Sequence, residues 1–325
     1  MSTKLVQKTF SRSINKGLVG SGKTLTIEKI KGDASARKYF RVKTGDSSYV
    51  VCLCDKEAFR TFTLMQKILS NQGVPVPQII DKDPELGYLL QEDLGGQTLW
   101  DFLAGADEKQ ELETYKNILD YLGLFQKVEV ALSPSKASFN QEGLFLEIES
   151  SRVFLVEKYL KYNLQEGELE LFKESFGELC KEASMGPFVL NHRDFHSRNI
   201  MLSGGPVFID FQDARGGIAQ YDLASLLDDC YFEITSANVE KLKKYYFENY
   251  MECSDYPRFL RDYDLISIQR LFKAVGTFAK IYVERGDDSY LKYIDRSFEK
   301  LIDRLGKYPK YQKLNELLLN IKNEN

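Results

Sequence analysis

His192-Arg-Asp194-Phe-His196-Ser-Arg-Asn199-Ile-Met-Leu202, then Ser203-Gly-Gly-Pro206 and Val207-Phe-Ile-Asp210-Phe-Gln-Asp213, is the most informative stretch of the chain. It reads as loop, strand, tight turn, strand and terminal acid. The turn at Gly204-Gly205 predicts a hairpin that brings Asp210 beside Asn199, while Asp194 stands five residues before Asn199. The set supplies a carboxylate base (Asp194), an amide oxygen (Asn199) and a carboxylate oxygen (Asp210). Hard oxygen donors of this kind suit Mg²⁺ carrying a triphosphate. The only two histidines, His192 and His196, both lie here. They are read as loop-bracing groups, with His192 anchoring backbone near Asp210.

Outward from this island, Val189–Asp213, the patterns are helical: Leu112–Val128, Leu144–Tyr162, Glu168–Ala183, Asn238–Glu248, Ile266–Glu284 and Tyr290–Leu305. Upstream of Gly95-Gly96 the character changes. Leu25–Ile30, Tyr39–Lys43, Ser47–Cys54 and Gly87–Gln91 read as strands, and Glu57–Asn71 as a helix with Phe59, Phe62, Met65, Ile68 and Leu69 on one face. The expected organisation is a flexible basic leader over 1–24, a nucleotide-binding lobe over 25–92 and a helical catalytic and substrate-binding lobe over 93–325. The leader carries Lys4, Lys8, Arg12, Lys16 and Lys23 and no acid before Glu28. A solvated terminus is expected, with a transit-like or anion-touching tail as the alternative.

At 325 residues a single core usually divides, so two lobes are expected. With 44 basic and 48 acidic side chains the chain lacks the basic excess that a nucleic-acid binder needs. No apolar run approaches the length of a membrane span, and no secretory segment follows Met1. The five cysteines, Cys52, Cys54, Cys180, Cys230 and Cys253, show no CxxC spacing, which fits free thiols in a reducing cytoplasm.

Gly17-Leu-Val-Gly-Ser-Gly22-Lys23-Thr24 matches the phosphate-binding pattern GxxxxGK[ST]. That loop needs a buried strand before it and a helix after it. Here the preceding Lys8–Asn15 is too polar for a buried strand, and Leu25–Ile30 alternates like a strand. The match is read as accidental, and substitution of Lys23 is expected to have little effect.

The chain resembles the aminoglycoside phosphotransferase and choline kinase superfamily, relatives of the protein kinases. The resemblance rests on His192–Asn199 with Ile209-Asp210-Phe211. Further segments make it similar to the cell-wall sugar kinases within that group: Gly32–Arg41, Gly73-Val-Pro-Val-Pro77, Glu92-Asp-Leu-Gly95, Asp210–Ala214, Tyr221–Leu227, Gln269-Arg270 and Gly276–Ala279. Members of that group phosphorylate the anomeric hydroxyl of N-acetylmuramate and N-acetylglucosamine. The resemblance implies an α+β, bilobal protein-kinase-like fold, with a small antiparallel-sheet lobe and a larger, mainly helical lobe. It implies ATP and Mg²⁺ as cofactors, a small-molecule sugar as substrate, a role in peptidoglycan recycling, a cytoplasmic location, and a monomer that binds neither nucleic acid nor membrane. Rival readings are an aminoglycoside or amino-alcohol kinase on the same fold, which would need an acidic pocket, with Glu147 and Asp228-Asp229 as the acids to check, and a catalytically silent nucleotide-binding regulator.

Residue by residue, the resemblance makes Asp194 the base toward the sugar hydroxyl and Asn199 and Asp210 the Mg²⁺ ligands. Ser35 and backbone N–H groups of Gly32–Lys38 would cover the phosphates, and Glu92 and Leu94 would offer backbone groups to adenine. Asp222 would brace the catalytic loop, or serve simply as an acid in the first turn of a helix. Glu147, Gln212, Asp213 and Arg270 are the substrate-binding candidates. Arg270 would either meet a substrate carboxylate or form a surface ion pair. Trp100 is read as core. One departure stands out: the third strand, Tyr49–Asp55, contains no lysine to hold the phosphates. Arg37, Lys38 or Arg41 would have to supply that charge.

Overall fold

A computed structural model describes residues 2–20, 22, 24–30, 37–252 and 254–324. The elements begin with α1 (Ser2–Asn15), β1 (Leu25–Lys29), β2 (Lys38–Thr44), β3 (Ser47–Leu53), α2 (Lys56–Asn71), β4 (Ile79–Asp83) and β5 (Tyr88–Glu92). They continue with α3 (Leu99–Leu103), α4 (Glu108–Gln126), α5 (Gln141–Ser151), α6 (Glu166–Ala183), β6 (Phe188–Asn191), β7 (Ile200–Leu202), β8 (Pro206–Phe208) and β9 (Arg215–Ile218). The last are α7 (Gln220–Leu227), α8 (Ser236–Tyr250), α9 (Tyr256–Arg285), α10 (Ile294–Leu305) and α11 (Gln312–Asn323). The chain divides into two compact units: Met1–Leu99 with Asn199–Asp213, and Trp100–Arg198 with Ala214–Asn325.

In the first unit an antiparallel sheet runs β1-β2-β3-β5-β4. Alternation in β2 turns Phe40, Val42 and Thr44 into the core. Asp55 caps α2 by accepting from the Ala58 N–H at 2.8 Å. The helix then buries Phe59, Phe62, Met65 and Leu69. β4 was not expected from the sequence, because the Pro75 and Pro77 breaks hide the short Ile79-Ile80 run before it.

The expected leader is corrected. Residues 2–15 form α1, and Val6 and Phe10 are fully buried in one cluster with Phe40, Val42, Val51, Tyr88 and Leu90. Ser13 donates to Asp81 at 2.6 Å, and Lys16 pairs with the same carboxylate at 2.9 Å. Val6, Phe10 and Ile14 recur every fourth residue, a helical stripe that the basic residues between them obscure. The P-loop match fails on context, since a helix precedes it and a strand follows. Gly22 donates its N–H to Thr44 Oγ1 at 2.7 Å, and a Cβ there would strike the backbone of Gly45. Lys23 lies outside the described residues.

The predicted hairpin is β7–β8, pairing Ile200 with Phe208 and Leu202 with Pro206. It belongs to the first unit, which moves the expected boundary. Leu202 N–H donates to Gln97 O at 2.9 Å and Phe208 N–H to Pro75 O at 2.8 Å. The chain therefore returns to the unit that holds the sheet.

The second unit is built on α9, which packs against α5, α6, α7 and α10. Asp255 caps it, Pro257 occupies its first turn, and Gly286 ends it at φ 68°. The expected helix over Leu144–Tyr162 divides at Ser151 into α5 and a π-helical stretch, Arg152–Tyr159. β6 and β9 form a two-stranded sheet pairing Phe188 with Ile218 and Asn191 with Arg215. β6 delivers the chain to His192, and β9 delivers it to α7 and Asp222.

Gly276 lets α9 approach α5. A Cβ at this position would fall on the Ser151 side chain and 2.5 Å from its Cα. Replacing Gly276 with Ala gains about 0.5–1 kcal/mol of helix propensity. The clash is expected to outweigh this gain and give a net destabilisation of about 1–3 kcal/mol. Urea unfolding of the full chain measures the balance; an unchanged midpoint would show that α5 yields freely.

Candidate active site

Two clusters of functional side chains are present, one in each unit. In the first unit, Asn199 O accepts the Ile209 N–H at 3.0 Å, so the hairpin holds Asn199 against the residue before Asp210. Asp210 has φ 67°, a left-handed backbone unusual for a residue other than glycine. Phe211, the next residue, packs on Phe62 of α2 with ring centroids 4.9 Å apart. The Asp210 carboxylate forms an ion pair with Arg37. Gln212 links the two groups. Its Oε1 accepts from Arg37 at 2.7 Å, and its Nε2 donates to Asp210 at 3.2 Å and to Asp213 at 2.9 Å.

The other candidate cations are placed elsewhere. Lys38 is exposed. Arg41 grips Asp93 through Nε at 2.7 Å and Nη2 at 2.9 Å, and donates to Gly95 O at 2.7 Å. Burial would raise the Asp93 pKa, but Arg41 and Ser48 hold it below its ordinary value. Glu92 commits its N–H to Gln78 O at 3.1 Å, and its carboxylate accepts the Gln78 N–H at 2.8 Å. The Glu92 N–H and carboxylate are therefore both engaged within the protein. Leu94 is partly buried, and Ser35 lies outside the described residues.

In the second unit, Asp222 is fully buried and accepts the N–H groups of His192 at 2.6 Å and Arg193 at 3.1 Å. Burial pushes its carboxyl up to about 7, against the two hydrogen bonds that favour the anion. Asp229 performs a similar task further along, accepting from Ser197 N–H and Tyr231 N–H, each at 2.8 Å. Asp222 in the first turn of α7 and Asp229 just past its end thus hold the loop that carries Asp194. Arg193 has φ 86°, a turn that brings Asp194 forward. His192 is buried, with its ring against Phe125 and Phe195. His196 sits edge-on to Tyr231, and burial lowers its pKa.

Asp194 accepts a hydrogen bond from Lys273 of α9 at 3.0 Å. Burial opposes ionisation of Asp194, but Lys273, Arg193 and Arg270 outweigh it and hold the carboxyl well below the carboxylate range. A pocket of about 90 Å³ opens here, lined among others by Asp194, His196, Arg270, Lys273, Thr277 and Phe278. Lys273 went unrecognised in the sequence. Its signal was its spacing, one helical turn after Arg270 on the same face.

Arg270 is not a surface ion pair. It is buried and donates to Tyr221 Oη and Ser225 Oγ, both at 2.7 Å. Glu147 accepts from Gln269 at 3.1 Å. Gln212 and Asp213 belong to the Asp210 cluster of the first unit. Trp100 is 37% exposed rather than core, and its Nε1 donates to Tyr231 O at 3.2 Å. With Tyr231 and Tyr293 it surrounds the Arg198 guanidinium, which lies 4.1 Å from the Tyr231 ring centroid.

The first-unit donors near Asp210 are carboxylate and amide oxygens, which suits a hard divalent cation. Among the described residues no group of three or more His, Cys, Asp and Glu side chains is placed to hold a metal alone.

The family model of a phosphotransferase enzyme family matches residues 26–261. The chain belongs to this family. It is 33% identical over 300 residues to an N-acetylmuramate/N-acetylglucosamine kinase of Pseudomonas aeruginosa, covering 89% of this chain and 86% of that protein. A protein of the same name from Neisseria meningitidis serogroup B is 30% identical, with 89% and 88% covered. Among solved structures, choline kinase LicA from Streptococcus pneumoniae superposes with a TM-score of 0.62 at 17% identity, over 92% of this chain and 99% of that one. ADP-bound aminoglycoside phosphotransferase APH(2'')-Ib gives 0.62 at 15% identity, over 90% and 97%. These superpositions show the protein-kinase-like fold. Among the described residues no helix is long and apolar enough to cross a membrane.

Replacing Lys273 with Met removes the largest of the positive charges that hold Asp194 ionised. The Asp194 pKa then rises, so activity that needs the anion is lost earlier as pH falls. The acidic limb of kcat/KM is expected to move up by about one pH unit or more. A lower rate with an unmoved limb would reduce Lys273 to a packing role.

Proposed function

We propose that the protein transfers the γ-phosphoryl group of ATP to the anomeric hydroxyl of N-acetylmuramate or N-acetylglucosamine. The observation that carries this reading is the Asp194 pocket, where α9 contributes the cations Arg270 and Lys273. A pocket for an aminoglycoside or an amino alcohol needs accessible acids, and the nearby acids are engaged. Asp228 binds Tyr263 at 2.6 Å, Ser267 at 2.7 Å and Arg304. Asp229 holds two backbone N–H groups, and Glu147 holds Gln269. The names of the relatives at 30–33% identity support the same acceptor class.

In this reading Asp194 accepts the proton of the sugar hydroxyl and orients its oxygen toward phosphorus. Asp222 and Asp229 fix the loop so that Asp194 need not reorganise. Asn199 and Asp210 are the residues that would hold Mg²⁺, which neutralises charge on the phosphate oxygens. Backbone groups of Glu92 and Leu94 would serve adenine, Ser35 the phosphates, and Arg270 the acceptor. Gln212 and Asp213 act through Asp210. The role is peptidoglycan recycling in the cytoplasm, by a monomer.

Phosphorus NMR of the purified protein with ATP, Mg²⁺ and each sugar in turn tests this. A new resonance coupled to the anomeric proton is expected. ADP and inorganic phosphate without a sugar phosphate would overturn the acceptor, and no turnover with any alcohol would overturn the reaction.

A further inference from the structure

We infer that Tyr231 and Phe278 form the subsite that recognises the 2-acetamido group of the acceptor sugar, with the Tyr231 hydroxyl donating to the acetamido oxygen and Arg198 holding the Tyr231 ring in place. The inference rests on reading Asp194 as the base toward an anomeric hydroxyl, because the carbon that bears the acetamido group is then the next one in the ring.

The lining of the Asp194 pocket is part charged and part apolar. Arg270 and Lys273 supply the charge, and Tyr231, Phe278 and Ala274 the apolar surface. The pocket measures about 90 Å³. An apolar cavity of about 150 Å³ takes a benzene ring, so this one takes a substituent of about four heavy atoms and leaves the pyranose outside. An acetamido group has that size. It brings a methyl for the apolar surface, one oxygen that needs a donor and one N–H that needs an acceptor.

The pocket offers both. The Tyr231 hydroxyl makes no hydrogen bond among the described residues, and its oxygen is not sealed from solvent. Burial of the side chain raises its pKa, so the hydroxyl keeps its proton to donate. Thr277, also in the lining, donates to Lys273 O at 2.9 Å, which commits its proton and leaves its oxygen to accept an N–H.

The rest of Tyr231 is fixed. Its N–H donates to Asp229 at 2.8 Å, and its carbonyl accepts from Trp100 Nε1 at 3.2 Å. The Arg198 guanidinium lies 4.1 Å from the Tyr231 ring centroid and donates to Tyr293 Oη at 2.9 Å. The Tyr293 ring in turn meets Tyr231 at a right angle, 5.1 Å away. Among the described residues Arg198 pairs with no carboxylate. A guanidinium placed among rings rather than beside an anion acts as a support for those rings. A ring held in this way loses little freedom when a ligand meets its hydroxyl.

Steady-state kinetics of the full-length protein with N-acetylglucosamine and with glucose, which has a hydroxyl in place of the acetamido group, test the subsite. Tyr231→Phe keeps the ring and its supports. It is expected to raise KM for N-acetylglucosamine about tenfold while kcat changes less than about threefold. Glucose, read as substrate or as competing inhibitor, should change less than about twofold, since it has no acetamido oxygen to lose a donor. Arg198→Met should raise the same KM, yet add less than about twofold in the Tyr231→Phe background, because it acts through the hydroxyl already removed. An unchanged KM for N-acetylglucosamine in the Tyr231→Phe protein, or an equal loss with glucose, would overturn the subsite. Fully additive losses would overturn the positioning role of Arg198. A natural protein that turns over no N-acetyl sugar would overturn the anomeric reading and this one with it, whereas a working sugar kinase indifferent to Tyr231→Phe overturns this one alone.

Discussion

A buried carboxylate that accepts two consecutive backbone N–H groups is the constraint on which the loop carrying Asp194 depends. Asp222 takes those of His192 and Arg193, and Arg193 is thereby held at a positive φ that few side chains adopt. The next residue is Asp194. Without a fixed acceptor behind it, the loop would have two orphaned N–H groups and no reason to keep a strained turn. Asp229, two residues past the end of α7, repeats the device at Ser197, so the loop is anchored from both ends of that helix segment. The site is pre-organised by hydrogen bonds made inside the second unit.

α9 supplies the complementary charge. Arg270 is held by Tyr221 and Ser225, both on α7, while Lys273 meets Asp194 directly. The same two helices therefore place the loop and its cations. Burial alone would push Asp194 toward the neutral form, and the cations reverse that balance. The acids that might have marked a pocket for polycations are consumed by the fold. Asp228 serves Arg304 of α10 and hydroxyls of α9, a buried network that ties three helices together. Composition near a site says little about its charge until the partners of each acid are known.

The third strand of the first unit carries no lysine, and the cation beside Asp210 comes from another element. Cys52 in β3 lies opposite Tyr39 in β2, and Arg37, immediately before β2, pairs with Asp210. The local departure from the kinase pattern thus leaves a positive charge at Asp210, and a catalytically silent reading loses its main support.

The sequence by itself determined the chemistry-bearing hairpin, because Asp194, Asn199 and Asp210 are set by short spacings around a glycine turn and involve no distant partner. It also determined most strands and helices, from Phe59–Leu69 in α2 to the long apolar pattern of α9, since periodicity reports a buried face wherever that face lies. It misled at α1, where lysines and serines mask the Val6-Phe10-Ile14 stripe, and at Arg270, whose burial no local pattern reveals. Only the tertiary structure decided which cation reaches Asp210, which acids are spent on backbone N–H groups, and that Lys273 faces Asp194. Those contacts join residues far apart in the chain, and their strength depends on burial and on competing partners, neither of which a linear pattern encodes.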